Sequence, residues 1–175
     1  DTIPAIDALE KYYGADADKE LIGGSVAATE HSVMCSGSQD GELETFRRLI
    51  TEVYPDGIVS IVSDTWDLWK VCTEYLTALK ETVLSRNGKV VIRPDSGDPV
   101  KIICGDPQGK TAEQRKGVVE LLWDIFGGSV TEKGYKLLDP HIGAIYGDSI
   151  NLERAEAICE GLKAKGFASQ VVFGI

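Results

Sequence analysis

The residues best suited to chemistry lie at positions 90–99, which have the sequence VVIRPDSGDP. Successive side chains of an extended chain point to opposite faces, so Arg93 and Asp95 are expected on the same side. Because Pro94 cannot donate to a sheet ladder, the apolar strand must end here. Arginine suits bidentate contact with phosphate, and aspartate suits ribose hydroxyls or a hydrated Mg²⁺. A surface ion pair at a turn is the alternative, and this segment alone leaves both open.

Ionisable or small residues also follow the other predicted strands. They are Glu30 and His31 after the first strand, Asp64 after the second, Gly147 and Asp148 after the fourth, and Gly174 after the fifth. A single acidic residue after a strand is most often a helix N-cap. The recurrence nevertheless predicts one rim of the fold on which these groups converge.

The two histidines of the chain receive different interpretations. At a strand end beside carboxylates, His31 suits a nucleophile or a proton carrier, although a lone histidine is more often structural. His141 begins a strand and is interpreted as structural. Gly147 carries no Cβ, which permits close approach of a phosphate or sugar, and a requirement of turn geometry is its alternative explanation.

Strands alternate with helices along the chain. Strands are predicted at residues 23–30, 58–62, 90–93, 142–146 and 171–173. This alternation predicts an α/β fold with a parallel sheet, either part of a barrel or a doubly wound sheet. So few strands cannot close the usual barrel, and the chain does not begin with methionine, so we expect a fragment of a longer chain.

Two helices carry specific expectations. Asp40 is predicted to cap the helix that follows it. The apolar face of this helix and that of the last helix are predicted from residues at helical spacing. They are Leu43, Phe46, Ile50 and Val53, and Leu152, Ala155, Cys159 and Leu162, respectively.

Composition excludes several classes of partner. The 175-residue chain has a net charge of -10, which argues against nucleic acid and anionic membranes because both require a basic face. No apolar run approaches the roughly 20 residues that span a bilayer, and the start does not resemble a signal peptide. The four cysteines are widely spaced, so we expect reduced thiols in a cytoplasmic protein.

Several segments together resemble the nicotinamide phosphoribosyltransferase family, in its order and near its spacing. They are AATEHS at 27–32, VSIVSD at 59–64, VIRPDSG at 91–97, KGYKLL at 133–138 and the pair Gly147-Asp148. The opening Asp1-Thr2 and KYYG at 11–14 also fit. The nicotinate phosphoribosyltransferase family shares the fold and is the weaker match.

The resemblance implies a fold and a reaction. Residues 1–175 would form a partial domain, the parallel-strand part of a type II phosphoribosyltransferase α/β barrel, in an enzyme that works as a homodimer. The implied reaction joins nicotinamide to phosphoribosyl pyrophosphate with Mg²⁺, giving nicotinamide mononucleotide and pyrophosphate. ATP hydrolysis is implied to be coupled through phosphorylation of His31.

The resemblance also assigns roles to individual residues. The catalytic positions match His31, Asp64 and Asp95, and Asp64 and Asp95 are also the implied Mg²⁺ ligands, through water. The substrate-binding positions match Asp1, Glu30, Arg93, Asp95, Gly147, Asp148 and Gly174. Asp1 matches the residue that receives the nicotinamide amide, and Arg93 matches one that lines the nicotinamide and phosphate site. Asp95 and Asp148 match ribose-contacting carboxylates, Gly147 a phosphate-site glycine, and Glu30 and Asp64 partners of the histidine.

The sequence also departs from the family pattern. It lacks an aromatic residue to stack on nicotinamide and an upstream arginine for the phosphates, and Ile175 replaces a small polar residue. We therefore expect the isolated chain to be inactive. Nicotinate phosphoribosyltransferase and an inactive scaffold of the same fold stay open as alternatives. A sugar-phosphate aldolase barrel is disfavoured because no predicted strand ends in a lysine that could form a Schiff base.

Overall fold

A five-stranded parallel sheet forms the centre of the protein. The computed structural model describes residues 2–20 and 22–174. Its strands are β1 (Ala27–Ala28), β2 (Asp56–Val62), β3 (Asn87–Arg93), β4 (Gly128–Val130), β5 (Lys136–Leu138), β6 (Ile142–Tyr146) and β7 (Val171–Phe173). The main sheet has the order β1-β2-β3-β6-β7 with every neighbouring pair parallel. The predicted α/β class is confirmed, and within the described residues the sheet does not close into a barrel.

Helices connect the strands. They are α1 (Thr2–Tyr13), α2 (His31–Ser36), α3 (Glu42–Arg48), α4 (Leu68–Lys70), α5 (Leu76–Ala78), α6 (Lys80–Leu84), α7 (Pro99–Cys104), α8 (Ala112–Lys116), α9 (Val118–Phe126) and α10 (Leu152–Ala164). Wider π-helical turns at Leu49–Val53 and Val71–Tyr75 continue α3 and join α4 to α5. In the part of the chain that the structure describes, no helix combines the length and the hydropathy needed to cross a membrane.

The hydrophobic core lies between the sheet and the helices. Val59 and Ile61 of β2 are fully buried, and they align in register with Val90 and Ile92 of β3. Branched residues of this kind fit a pleated surface that helices cover, and the burial of each contributes about 1.5–3 kcal/mol. Because parallel strands run in one direction, their carboxyl ends lie at one edge of the sheet.

The boundaries of two early elements differ from the sequence expectations. Within residues 23–30, only Ala27–Ala28 pairs as a strand, because the glycines at its start have low strand propensity. The N-cap of α3 is Gly41 and not Asp40. The carbonyl of Gly41 accepts the first helical hydrogen bond, from Thr45 N at 2.9 Å.

Two residues predicted on apolar helix faces are exposed instead. Val53 is 41% exposed because the helix widens into a π-helical turn, which rotates its last residues away from the core. Leu152 begins α10 and is 91% exposed, whereas Ile158 is fully buried on that helix. The antiparallel hairpin β4–β5 was not predicted, because the exposed Gly128–Val130 lacks an apolar alternation.

Glu42, the first residue of α3, is a buried carboxyl outside the predicted site. Only 1% of its surface is exposed, and Oε1 has no hydrogen-bond partner among the described residues. Burial raises the pKa of Glu42 to about 7, with a smaller rise from Asp67 and an opposing effect from Lys70.

We expect the stability contributed by Glu42 to be lost as the pH rises from 4.5, its ordinary pKa, to about 7. The folded state resists ionising a carboxyl that ionises freely when unfolded. Glu42→Gln should flatten this decline and raise the free energy of unfolding near pH 8 by about 1–3 kcal/mol, measured by urea denaturation of the whole protein. Glu44→Gln, on the exposed side of the same helix, is the control. A wild-type pH slope in Glu42→Gln would contradict the prediction.

Candidate active site

His31 and Asp64 form a hydrogen-bonded pair at the carboxyl edge of the sheet. His31 is the first residue of α2, and Asp64 follows β2. His31 Nε2 lies 3.3 Å from Asp64 Oδ1, and the side chains are 45% and 7% exposed, respectively. A carboxylate that holds one ring nitrogen fixes the tautomer and leaves the other nitrogen available, which suits a nucleophile.

Asp64 also holds the loop that follows β3. Its Oδ2 accepts hydrogen bonds from Asp95 N at 2.9 Å and from Ser96 Oγ at 2.6 Å. These contacts compensate the desolvation of a carboxylate that is nearly buried. One side chain therefore joins the segments that follow β1, β2 and β3.

Arg93 and Asp95 face each other without close contact. Arg93 Nη2 and Asp95 Oδ1 are 3.9 Å apart, which is longer than a hydrogen bond. Arg93 Nη1 donates to Thr29 O at 3.3 Å, whereas Asp95 Oδ1 is buried and has no hydrogen-bond partner in the described residues. The Asp95 side chain is nevertheless 23% exposed, so a hydroxyl or hydrated cation can reach its carboxylate, and the Arg93 guanidinium has further donors for a phosphate.

Gly147 leaves room for the Arg93–Asp95 pair. A Cβ at position 147 would lie 2.7 Å from Arg93 Nε and closer still to Asp95 Oδ1. Gly147 N donates to Pro94 O at 3.1 Å, which joins the end of β6 to the loop after β3. Gly174 packs against Gly147 in turn, because a Cβ at position 174 would lie 2.8 Å from Gly147 O. Close approach, and not turn geometry alone, accounts for both glycines.

Tyr146 contacts the same loop from the last position of β6. Its hydroxyl donates to Gly97 O at 2.8 Å, and only 2% of the residue is exposed. Burial is the main reason that the pKa of Tyr146 is raised to about 12. The remaining causes are nearby carboxylates, those of Asp64, Asp148, Asp95 and Asp98. These carboxylates therefore make the electrostatic potential at the site negative, and Arg93 is the positive charge beside them.

The side chains of two further predicted residues, Asp148 and Glu30, make no hydrogen bond to this cluster. Asp148 is exposed in the turn after Gly147, where its Oδ2 accepts a 2.7 Å hydrogen bond from Ser149 Oγ. Glu30 is the exposed N-cap residue of α2 and makes no capping hydrogen bond through its side chain. Asp1 lies outside the described residues.

Ser96 and Tyr146 are contacts that sequence reasoning missed. Ser96 lies in the VIRPDSG segment, so its position beside Asp95 was the available signal. Tyr146 ends an apolar strand, and nothing in the sequence distinguishes it from an ordinary core aromatic. Its partner, Gly97 O, is a backbone atom that carries no sequence signal.

The capacity for Mg²⁺ depends on Asp95. Within residues 2–20 and 22–174 there is no group of three or more His, Cys, Asp or Glu side chains that could hold a metal ion. Magnesium in phosphate sites is commonly held by one or two carboxylates together with the substrate phosphates. The Asp95 side chain is 23% exposed and its carboxylate accepts no hydrogen bond within the described residues, whereas both oxygens of Asp64 already have partners. The residues thus fit a Mg²⁺ that is shared with a phosphorylated ligand.

The amino-acid sequence matches a known protein family and several named proteins. A sequence model of the nicotinate phosphoribosyltransferase (NAPRTase) family matches residues 3–175. The nicotinamide phosphoribosyltransferase of Acinetobacter baylyi is 60% identical over 183 residues, covering 100% of this chain and 36% of that protein.

Two further relatives carry the same name. The nicotinamide phosphoribosyltransferase of Mycoplasma pneumoniae is 43% identical over 176 residues, covering 95% of this chain and 38% of that protein. That of Xanthomonas campestris pv. campestris is 35% identical, covering 100% of this chain and 34% of that protein. The chain thus spans a little over a third of the length of these relatives.

Gly147→Ala should force Arg93 and Asp95 apart, because the new methyl group would occupy the space between them. We expect a loss of about 1–3 kcal/mol in the free energy of unfolding of the whole protein, and a displaced ion pair in a crystal structure of the variant. Gly24→Ala is the control, since a Cβ at position 24 has no neighbour within 4 Å. Equal unfolding midpoints for the two variants would contradict the prediction.

Proposed function

The chain belongs to the nicotinate phosphoribosyltransferase (NAPRTase) family, and we infer that the whole protein transfers phosphoribosyl from phosphoribosyl pyrophosphate to nicotinamide. The products are nicotinamide mononucleotide and pyrophosphate. Two relatives named nicotinamide phosphoribosyltransferase are 60% and 43% identical to this chain over the aligned residues, and their name favours nicotinamide over nicotinate as the substrate. The proposal concerns the whole protein, because this chain is 36% of the length of the first of these relatives.

One observation carries the proposal. Asp64 binds His31 through Oδ1 and holds the Asp95 loop through Oδ2, so the candidate nucleophile and the candidate ribose carboxylate share one support. An arrangement of this kind supports two coupled reactions at adjacent positions, one at the imidazole and one at the ribose.

The ribosyl transfer follows from charge. The bond between the ribose anomeric carbon and the pyrophosphate oxygen breaks, its electron pair leaves with pyrophosphate, and the nicotinamide ring nitrogen bonds to the same carbon. Positive charge develops on the sugar, where Asp95 and Asp148 would stabilise it. Arg93, whose side chain packs against Gly147, would bind phosphate oxygens. Asp95 and Asp64 would hold Mg²⁺ through water, and its charge would offset that of the pyrophosphate.

The coupling to ATP would begin at His31. With Nε2–H donating to Asp64, the Nδ1 lone pair can attack the terminal phosphorus of ATP. A nitrogen–phosphorus bond forms, the bond to the bridging oxygen breaks, and ADP leaves with that electron pair. Glu30, adjacent to His31, would lie beside the phosphoimidazole.

The choice of amide over acid is assigned to Asp1, by resemblance to the family. A carboxylate accepts a hydrogen bond from the amide of nicotinamide and repels the carboxylate of nicotinate. Nicotinate phosphoribosyltransferase is the second candidate, because the matching family model carries that name. The homodimer and the cytoplasmic location stay predictions.

We expect the whole protein to form nicotinamide mononucleotide from nicotinamide, phosphoribosyl pyrophosphate and Mg²⁺, measured by chromatography of the product. Asp95→Asn should lower kcat by about 100-fold or more, because a neutral amide stabilises the sugar cation poorly. Asp16→Asn, far along the chain in an exposed segment near α1, is the control. Faster turnover of nicotinate than of nicotinamide would favour the second candidate, and no turnover of either would exclude both.

His31→Ala should abolish the stimulation by ATP and the transfer of radiolabelled phosphate from ATP to the protein. A measurable part of the ATP-independent transfer should remain, because the imidazole does not form the bond to ribose. His141→Ala is the matched control, since this histidine pairs with Asp139 at 2.7 Å at the start of β6. Phosphate on a different residue, with ATP stimulation intact in His31→Ala, would contradict the proposed coupling.

A further inference from the structure

Each residue of the loop at positions 94–97 is held by one hydrogen bond to a neighbouring segment. Pro94 O accepts from Gly147 N at 3.1 Å, Asp95 N and Ser96 Oγ donate to Asp64 Oδ2 at 2.9 and 2.6 Å, and Gly97 O accepts from Tyr146 Oη at 2.8 Å. The first three of these bonds involve residues already placed in the candidate site. The fourth involves a side chain without an assigned role.

Tyr146 is a fixed point for this loop. It is buried and lies in register with Phe173 of β7, and its carbonyl accepts from Gly174 N at 2.8 Å. Its backbone is thereby bound to β7, and its ring is packed in the core. Because the backbone and the ring of Tyr146 are both held in place, its hydroxyl has little freedom to move. The hydroxyl therefore restrains the position of its acceptor, Gly97 O.

Gly97 itself makes one hydrogen bond to a neighbouring segment, the one from Tyr146. Gly97 is exposed, and it borders an open cavity of about 620 Å³ together with Asn151 and Arg154. Its φ of 91° lies in the left-handed region that glycine tolerates, so the residue does not stiffen the chain by itself. The hydrogen bond to Tyr146 therefore connects this end of the loop to β6, while Asp98 caps α7 directly after it.

We propose that Tyr146 is a positioning residue, whose hydroxyl holds Gly97 O and thereby sets the place of the Asp95 carboxylate relative to Arg93. This inference deepens the proposed function and rests on it where the ribose is concerned. Burial and the surrounding carboxylates hold the pKa of Tyr146 near 12, so its hydroxyl remains a proton donor at neutral pH.

The loop position is tested without any substrate. Hydrogen–deuterium exchange of the whole protein should be faster at the Asp95 amide, which donates to Asp64 Oδ2, in Tyr146→Phe than in the wild type, because the loop loses one of its four hydrogen bonds to neighbouring segments. Tyr75→Phe is the matched control, since Tyr75 is also buried but lies in the π-helical turn that joins α4 to α5. Replacement of Tyr146 by 4-aminophenylalanine, which retains a donor at the same place, should restore slow exchange.

Kinetic measurements test whether Tyr146 affects turnover through its effect on Asp95. Tyr146→Phe should lower kcat about tenfold, the value of one hydrogen bond of ordinary strength, with a much smaller change in KM for nicotinamide. In an Asp95→Asn background the same substitution should cost less than twofold, because the group that Tyr146 positions is already neutral. A loss of stability alone would not produce this dependence on Asp95.

The outcomes of these experiments distinguish the positioning role of Tyr146 from the proposed function. Unchanged exchange at the Asp95 amide in Tyr146→Phe overturns the positioning role, and so does an equal loss of kcat in the presence and absence of Asp95. If the wild-type protein forms no nicotinamide mononucleotide, the proposed function fails. The exchange experiment still decides whether Tyr146 holds the loop.

Discussion

The carboxylate of Asp64 is the interaction on which the rest of the site depends. It is nearly buried, and a carboxylate in that setting must be met by donors or it destabilises the fold. Here the donors come from different strands, through Asp95 N, Ser96 Oγ and the imidazole of His31. The requirement to satisfy one buried anion thus fixes the relative places of three loops that are far apart in sequence.

The parallel sheet explains why these loops meet at all. Strands that run in the same direction end at one edge of the sheet. The residues that follow each strand by two or three positions therefore lie near that same edge. Arg93 and Asp95 are 3.9 Å apart and one Asp95 oxygen has no hydrogen-bond partner in the described residues, so these two side chains are not fully engaged in holding the fold together.

Much of this arrangement could be predicted from the sequence because it depends on strand periodicity. The strand ends at Asp64 and Gly147 follow from apolar runs that stop at polar or small residues, and the common face of Arg93 and Asp95 follows from the two-residue period of an extended chain. The parallel sheet follows from the alternation of strands with helices. The contacts of Ser96 and Tyr146 could not be predicted, because they depend on the distance between segments and on backbone acceptors. The exposed Val53 and Leu152 show the same limit, since a widened turn and a helix start change which side of a helix faces the core.

The strand order of the main sheet, β1-β2-β3-β6-β7, follows the order of these strands along the chain. Each strand after the first therefore pairs with the strand that precedes it in that sheet, across a connection that holds one or more helices. Within the described residues, the sheet can thus assemble strand by strand in chain order, because no strand has to insert between two that already pair. The hairpin β4–β5 forms its own small sheet and leaves that order unbroken.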